Sequence, residues 1–188
     1  RGATRLVFVT RIYLVRHGRA SAGWDTDIDP GLDDLGRQQA EETAIILAHL
    51  SPMKLVSSPM LRCQQTAGFL SAKWDDANVN VEPLVTEIPS PDGYELGERI
   101  EWLRNAMAGT WGELGPRYTD FRDQVVNFVA TREVDTVIFS HFIAINAVIG
   151  HCIKDDRLVI DSLDNASVTV VETDASGNVS LIERGRQA

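Results

Sequence analysis

The sequence predicts an α/β fold, a three-layer α/β/α sandwich with a mostly parallel central sheet. Three observations point there. Short β-branched runs alternate with stretches of helical period three to four. A hairpin pattern closes the chain. The 188 residues contain no internal repeat and no linker long enough to split them, so one domain over residues 1–188 is expected.

The elements follow in order. Residues 11–15, Arg-Ile-Tyr-Leu-Val, read as a buried strand ending near Arg16. Residues 19–33 are loop-like, and Asp33 or Asp34 suits the N-cap of a helix running to about His49. Residues 54–56 are a second strand. Ser58 as cap and Pro59 at the first helical position then predict a helix with Met60, Cys63, Ala67 and Leu70 on one face. Residues 79–81 are a third strand. Residues 88–118 are rich in Gly and Pro around a helical piece near 96–107 and are expected to form a cap or insertion. Phe121, Val125 and Val129 mark another helix. Residues 136–139 are an apolar strand, followed by Ser140, His141 and an apolar helix to about Gly150. Residues 167–171 and 178–182 straddle the turn Asp174-Ala-Ser-Gly177 as a hairpin.

Composition narrows the function classes. Hydrophobic residues make up 44% and charged residues 24%, with a net charge of −9. So acidic a chain is a poor general binder of nucleic acid or anionic membranes. No apolar run is long enough to span a bilayer, and the longest, near 142–149, is broken by Asn146. Residues 1–10 lack the apolar core of a signal peptide. Two widely spaced cysteines, Cys63 and Cys152, fit a reducing compartment, and a cytoplasmic location is expected. No metal-ligand spacing is present, and the aspartates at 25, 27 and 29 lack the Gly and Glu of a calcium loop.

The chemistry gathers at strand ends. His17 and His141 each follow a predicted buried strand, at the sheet edge where α/β proteins bind ligands. Arg16 is adjacent to His17, and Arg62 lies in the first turn after a strand. Two Arg and two His at one edge suit a tetrahedral dianion such as phosphate or sulfate, because the guanidinium fork bonds such oxygens in pairs. The competing reading for the arginines is surface pairing with Asp25 or Asp33. His49 and His151 lack such context. Trp102, Trp111, Tyr94, Phe121, Arg99 and Arg104 either wall a substrate pocket or form the core and surface of the inserted segment.

These residues resemble a known family. Leu14-Val-Arg-His-Gly18 is similar to the signature of the histidine phosphatase superfamily, which includes phosphoglycerate mutases and phosphatases. Five further blocks follow in the family's order: Leu32-Asp-Asp-Leu-Gly-Arg-Gln-Gln-Ala40, Ser57-Ser-Pro-Met-Leu-Arg-Cys-Gln-Gln-Thr-Ala67, Leu84-Val-Thr-Glu87, Phe139-Ser-His141 and Asp164-Asn-Ala-Ser-Val-Thr169. The resemblance implies that His17 is the nucleophile and becomes a phosphohistidine. It implies that Arg16, Arg62 and His141 bind the phosphoryl oxygens, and that Glu87 is the general acid and then the base. The implied activity is metal-independent hydrolysis of a small phosphomonoester, with no cofactor. Phe142 stands where the family usually has Gly, and is expected to line the substrate pocket. Residues 88–93 replace the family's Gly-rich, Trp-containing stretch. The mutase segment after Arg-His-Gly is not visible in residues 19–31. A phosphomutase, or a module that binds a phosphorylated ligand without turnover, are the alternatives. The oligomeric state stays open.

Overall fold

The computed structural model of the protein describes residues 8–23 and 26–188. The readings placed on residues 1–7 and on Asp25 lie outside the described residues. β1 (Val9–Arg16) is followed by α1 (Asp34–Ala48), β2 (Lys54–Ser57), α2 (Leu61–Ser71) and β3 (Val79–Val81). A 3₁₀ turn (Pro83–Val85), α3 (Leu96–Met107), α4 (Trp111–Leu114) and α5 (Pro116–Ala130) lead to β4 (Thr136–Ser140). α6 (Phe142–Ile153), β5 (Val168–Asp174) and β6 (Val179–Glu183) complete the order. The strands form one sheet, β3-β2-β4-β1-β5-β6. The first four are mutually parallel, while β5 and β6 are antiparallel to their neighbours.

Alternation along the strands creates the three layers. Ile12, Leu14, Val56 and Ile138 face one side, where they pack with Val125 and Val129 of α5 and Ile145 and Val148 of α6. Val15, Leu55, Val137 and Phe139 face the other, where they meet Ala44 and Leu47 of α1 and Cys63, Ala67 and Leu70 of α2. Each such aliphatic side chain removed from water contributes about 1.5–3 kcal/mol before entropy is counted.

α6 is apolar almost all round because it is covered twice. One face meets the sheet. The other, with Ile143 and Ala147, packs against Ile88, Ala106, Trp111, Tyr118 and Leu158. Trp111 and Tyr118 are therefore core, and Trp102 rests on Tyr118 with ring centroids 5.2 Å apart. Asn146, which interrupts the run, is fully buried and satisfies both ends of its amide. Its Nδ2 donates to the Phe142 and Asp161 carbonyls, and its Oδ1 accepts from the Ile160 and Asp161 amides.

Three boundaries differ from the sequence expectation. Ser58 does not cap α2, which begins at Leu61 with Met60 at the cap position. The capping acceptor is instead Asp29 Oδ1, 2.8 Å from the Leu61 amide, so a loop distant in sequence supplies what a local serine was expected to give. α5 starts at Pro116, which occupies the first helical position. α6 runs past Gly150 to Ile153 and ends on Lys154 in the left-handed region. Gly150 is interior because α6 packs closely there: an added Cβ would lie 2.6 Å from the Asp155 carbonyl oxygen.

Two glycines let the chain cross itself beside the first histidine. A Cβ on Gly18 would lie 2.3 Å from Gly36 O, and one on Gly36 would lie 2.1 Å from Arg19 O. Asp33 caps α1 at the same crossing by accepting from the Gly36 amide at 2.7 Å. Gly36→Ala is expected to cost about 1–3 kcal/mol through forced overpacking. Gly68→Ala, in α2 with nothing within 4 Å of the added carbon, should gain about 0.5–1 kcal/mol from helix propensity. Urea unfolding of the two variants measures both signs.

Candidate active site

Strand register assembles the site. Arg16 of β1 pairs with Ser140 of β4, and Phe139 of β4 pairs with Ser57 of β2. The next residues along the three strands, His17, His141 and Ser58, therefore leave the sheet side by side at its carboxyl edge. The backbone bonds follow the same alignment: the His17 amide donates to Ser140 O at 3.1 Å and the Ser58 amide to Phe139 O at 2.9 Å. The rings of His17 and His141 lie 5.4 Å apart, edge to face. Arg62, the second residue of α2, points back into the same edge and is only 3% exposed. Glu87 follows the 3₁₀ turn, which Ser140 Oγ fastens to β4 by donating to Val85 O at 2.7 Å.

The bonds define chemical states. His17 Nδ1 lies 2.7 Å from Gly18 O, so Nδ1 carries the proton and the lone pair sits on Nε2. Arg62 Nε donates to that Nε2 at 3.1 Å. Arg62 Nη2 donates to Glu87 Oε2 at 3.2 Å. His141 Nδ1 is also 3.2 Å from Glu87 Oε2, and its Nε2 is 2.8 Å from Ser58 Oγ. With both ring nitrogens protonated, His141 donates at each end, and the Arg62–His141 approach of 3.2 Å is two donors converging on one carboxylate. The Cys63 sulfur lies 3.4 Å from His141 Nε2.

Electrostatics follow from this packing. Burial, with the nearby charges of His141 and Arg62, holds the His17 pKa well below its ordinary value. His17 is thus neutral at pH 7. Burial opposes charge on His141 as well, but the Cys63 sulfur and the Glu87 carboxylate raise it to about 9. Burial raises Glu87, yet His141 and Arg62 outweigh that and bring it down to about 2. In the free site the Glu87–His141 pair carries one proton, held on His141.

Arg16 completes the cationic rim. Its Nη1 donates to Leu163 O at 2.6 Å, its guanidinium lies 5.0 Å from the centre of the Phe142 ring, and its buried Nε has no partner among the described residues. Ligand atoms of His17, Glu87 and His141 come within 4.8 Å of one another, close enough for a metal ion. The Arg62 guanidinium bonds to His17 and Glu87 and lies against His141, so the site is built for an anion.

All the site residues expected from the sequence, Arg16, His17, Arg62, Glu87, His141 and Phe142, are brought together. All but His141 border a cavity of about 260 Å³; His141 reaches it through Arg62 and Glu87. Arg19, not Arg16 or Arg62, takes the ion pair with Asp33. Of the aromatics offered as pocket walls, Trp102, Trp111 and Phe121 pack in the α3–α6 core instead. The wall from that segment is Leu103 and Met107. Sequence reasoning missed them, although their spacing of four on α3 places them on one helical face. It also missed Ser58 as the partner of His141, Asn146 as the clamp on the 160–161 loop, and Cys63 against His141.

The fold and these side chains define an α/β protein with a buried cationic pocket built on two histidines and two arginines. The chain belongs to the histidine phosphatase superfamily (branch 1), whose family profile matches residues 12–183. It is 30% identical over 181 residues to the mitochondrial serine/threonine-protein phosphatase Pgam5 of Drosophila grimshawi, covering 90% of this chain and 61% of the relative. It is 38% identical over 144 residues to glucosyl-3-phosphoglycerate phosphatase of Mycolicibacterium vanbaalenii, covering 68% of this chain and 63% of that one. Among solved structures, Bacillus stearothermophilus YhfR shares the fold with a TM-score of 0.77 at 20% identity, covering 95% of this chain and 98% of that one. The chain spans about three-fifths of the length of these curated relatives. No helix among the described residues is long and apolar enough to cross a membrane.

Asn146→Ala tests the support of Arg16. Losing the amide leaves the Ile160 and Asp161 N–H groups without acceptors, at about 1–3 kcal/mol for each. Urea unfolding should register that loss. Phosphate binding should weaken with it, because the loop that leads on to Leu163 O then releases Arg16.

Proposed function

We propose that the protein is a metal-independent phosphomonoester hydrolase acting through a phosphohistidine on His17. The observation that carries this reading is the state of His17: Nδ1 is committed to Gly18 O, and the Nε2 lone pair is held beside Arg62 at the cavity. Membership of a superfamily with phosphatase relatives supports it.

The steps balance as follows. A substrate phosphoryl group settles among Arg16, Arg62 and His141. Arg62 turns from Glu87 and from His17 Nε2 to the phosphoryl oxygens, which frees the Nε2 lone pair. Its loss, with the arriving negative charge, raises the Glu87 pKa so that the carboxylate takes up a proton from solvent before the transfer. Nε2 of His17 attacks phosphorus, the bond from phosphorus to the ester oxygen breaks, and Glu87 supplies that oxygen's proton. Water then attacks the phosphohistidine while Glu87 takes back a proton. The phosphorus–nitrogen bond breaks, and phosphate and neutral His17 are regenerated. Clustered fixed cations supply most of the stabilisation, as phosphoryl transfer requires.

A phosphomutase would need a second anion subsite, but the cations lining this cavity, Arg16 and Arg62, already converge on the phosphoryl position. The acidic chain disfavours polyanionic substrates. Residues 88–118 act as a cap, since α3 contributes Leu103 and Met107 to the wall.

His17→Ala should lower turnover of p-nitrophenyl phosphate by at least about 10³-fold, the scale on which removing a nucleophile acts. EDTA should leave the wild-type rate unchanged. Rapid acid-free quenching of ³²P-labelled substrate should trap label on His17, stable to alkali and labile to acid. Full turnover in His17→Ala would sink the mechanism.

The pH profile has a stated sign. His17 must be neutral, and its lowered pKa places the acid limb of kcat/KM below the ordinary 6.5. His141 must be charged, so the rate falls as pH rises through about 9. A steady-state profile on a substrate that does not titrate above pH 7 checks both limbs.

A further inference from the structure

Among the described residues, every polar side chain lining the His17 cavity belongs to the phosphoryl machinery: Arg16, His17, Arg62 and Glu87. The remaining wall is apolar. On one side Ala20, Ala22 and Pro30 close it. On the other, Phe142 and Ile143 from the start of α6 meet Leu103 and Met107 from α3. Phe142 holds this wall in place by lying against the Arg16 guanidinium, 5.0 Å from ring centre to carbon. Ile143 is buried in the α3–α6 core.

From this arrangement, and resting on the hydrolase reading above, we infer that the leaving group the site takes is apolar. It is an aryl or arylalkyl alcohol rather than a polyol, a sugar or a hydroxy acid. Once the phosphoryl group is bound, no lining side chain among the described residues remains to meet a hydroxyl or a carboxylate of the leaving group. Burying such groups unpaired is costly, and burying a ring against Phe142, Leu103 and Met107 is favourable. An adjacent cleft of about 190 Å³ adds Asp27, Thr86, Ser90 and Arg99 to an apolar lining of Ile28, Met60, Ile88 and Pro89, and shares Arg62 and Glu87 with the cavity. It borders Glu87, which protonates the leaving oxygen in the reading above, so it is the competing seat for a leaving group, and a polar one would go there to meet Ser90 and Arg99.

Two matched pairs of compounds test this without relying on turnover alone. The first pair is 3-phenylpropyl phosphate and sn-glycerol 3-phosphate, both alkyl esters, compared by kcat/KM. The second is benzylphosphonate and 2,3-dihydroxypropylphosphonate, which cannot be hydrolysed, compared by calorimetric binding. The apolar member of each pair should win by at least about tenfold, the value of one buried ring. Phe142→Gly and, on the half-buried face of α3, Met107→Gln should each bring the ratios toward unity. Met107→Gln keeps the test sound if the α6 variant fails to fold. Preferential binding of benzylphosphonate without hydrolysis of either ester would support the apolar site and overturn the hydrolase reading. Hydrolysis of both esters at equal rates, or faster loss of glycerol 3-phosphate, would keep the hydrolase and overturn the apolar assignment in favour of the Arg99 cleft. A preference that survives in both folded variants would also overturn it.

Discussion

The structure is organised around the buried guanidinium of Arg62. A full charge at 3% exposure has a large desolvation cost, and among the described residues one partly buried carboxylate is its only anionic partner. Two histidines complete its surroundings, one neutral and one cationic. Such a cluster is a weak source of stability. It is a strong source of affinity for an anion, which would supply the countercharge that the protein withholds. The states of the other groups follow from Arg62. His17 is kept neutral partly by its charge, and Glu87 is kept ionised partly by it.

Holding that cluster requires backbone that does not move. Three adjacent parallel strands end in register, so His17, Ser58 and His141 begin from fixed neighbouring points. The Gly18–Gly36 crossing brings the start of α1 onto the loop after His17 with no room for a side chain. Asn146 ties α6 to the loop whose continuation takes the Arg16 hydrogen bond. α6 is packed on both sides, which fixes His141 at its N-cap. The second of those packings also brings α3 to the cavity, so the same contacts that anchor His141 shape the Leu103 and Met107 wall of the His17 cavity.

Much of this is legible along the chain because the signals are local. A β-branched run ending at Arg16 and another ending at Ser140 are strands by pattern, and a histidine after each marks one sheet edge. The helix over 96–107 is less plain, because the Gly and Pro around it break the local signal. What escapes reading depends on residues distant in sequence. Ser58 and Pro59 form a standard helix start, yet Asp29 provides the cap and the Ser58 hydroxyl turns to His141. Trp102, Trp111 and Phe121 are large enough to wall a pocket, but α3, α4 and α5 turn them toward α6 and into the core, which leaves Leu103 and Met107 of α3 at the cavity.

The sequence by itself determined the layered α/β class, the strand ends that carry chemistry, and the set of basic and acidic groups at the site. Periodicity and residue type encode the first two directly, and the resemblance to the histidine phosphatase superfamily implies the third, Glu87 above all. Only the tertiary structure decided the protonation states, the position of Arg62 among three partners, and the apolar character of the cavity wall. Each of those arises from burial and from contacts across the sheet edge. A one-dimensional pattern shows which face a residue takes, but not which neighbour waits there.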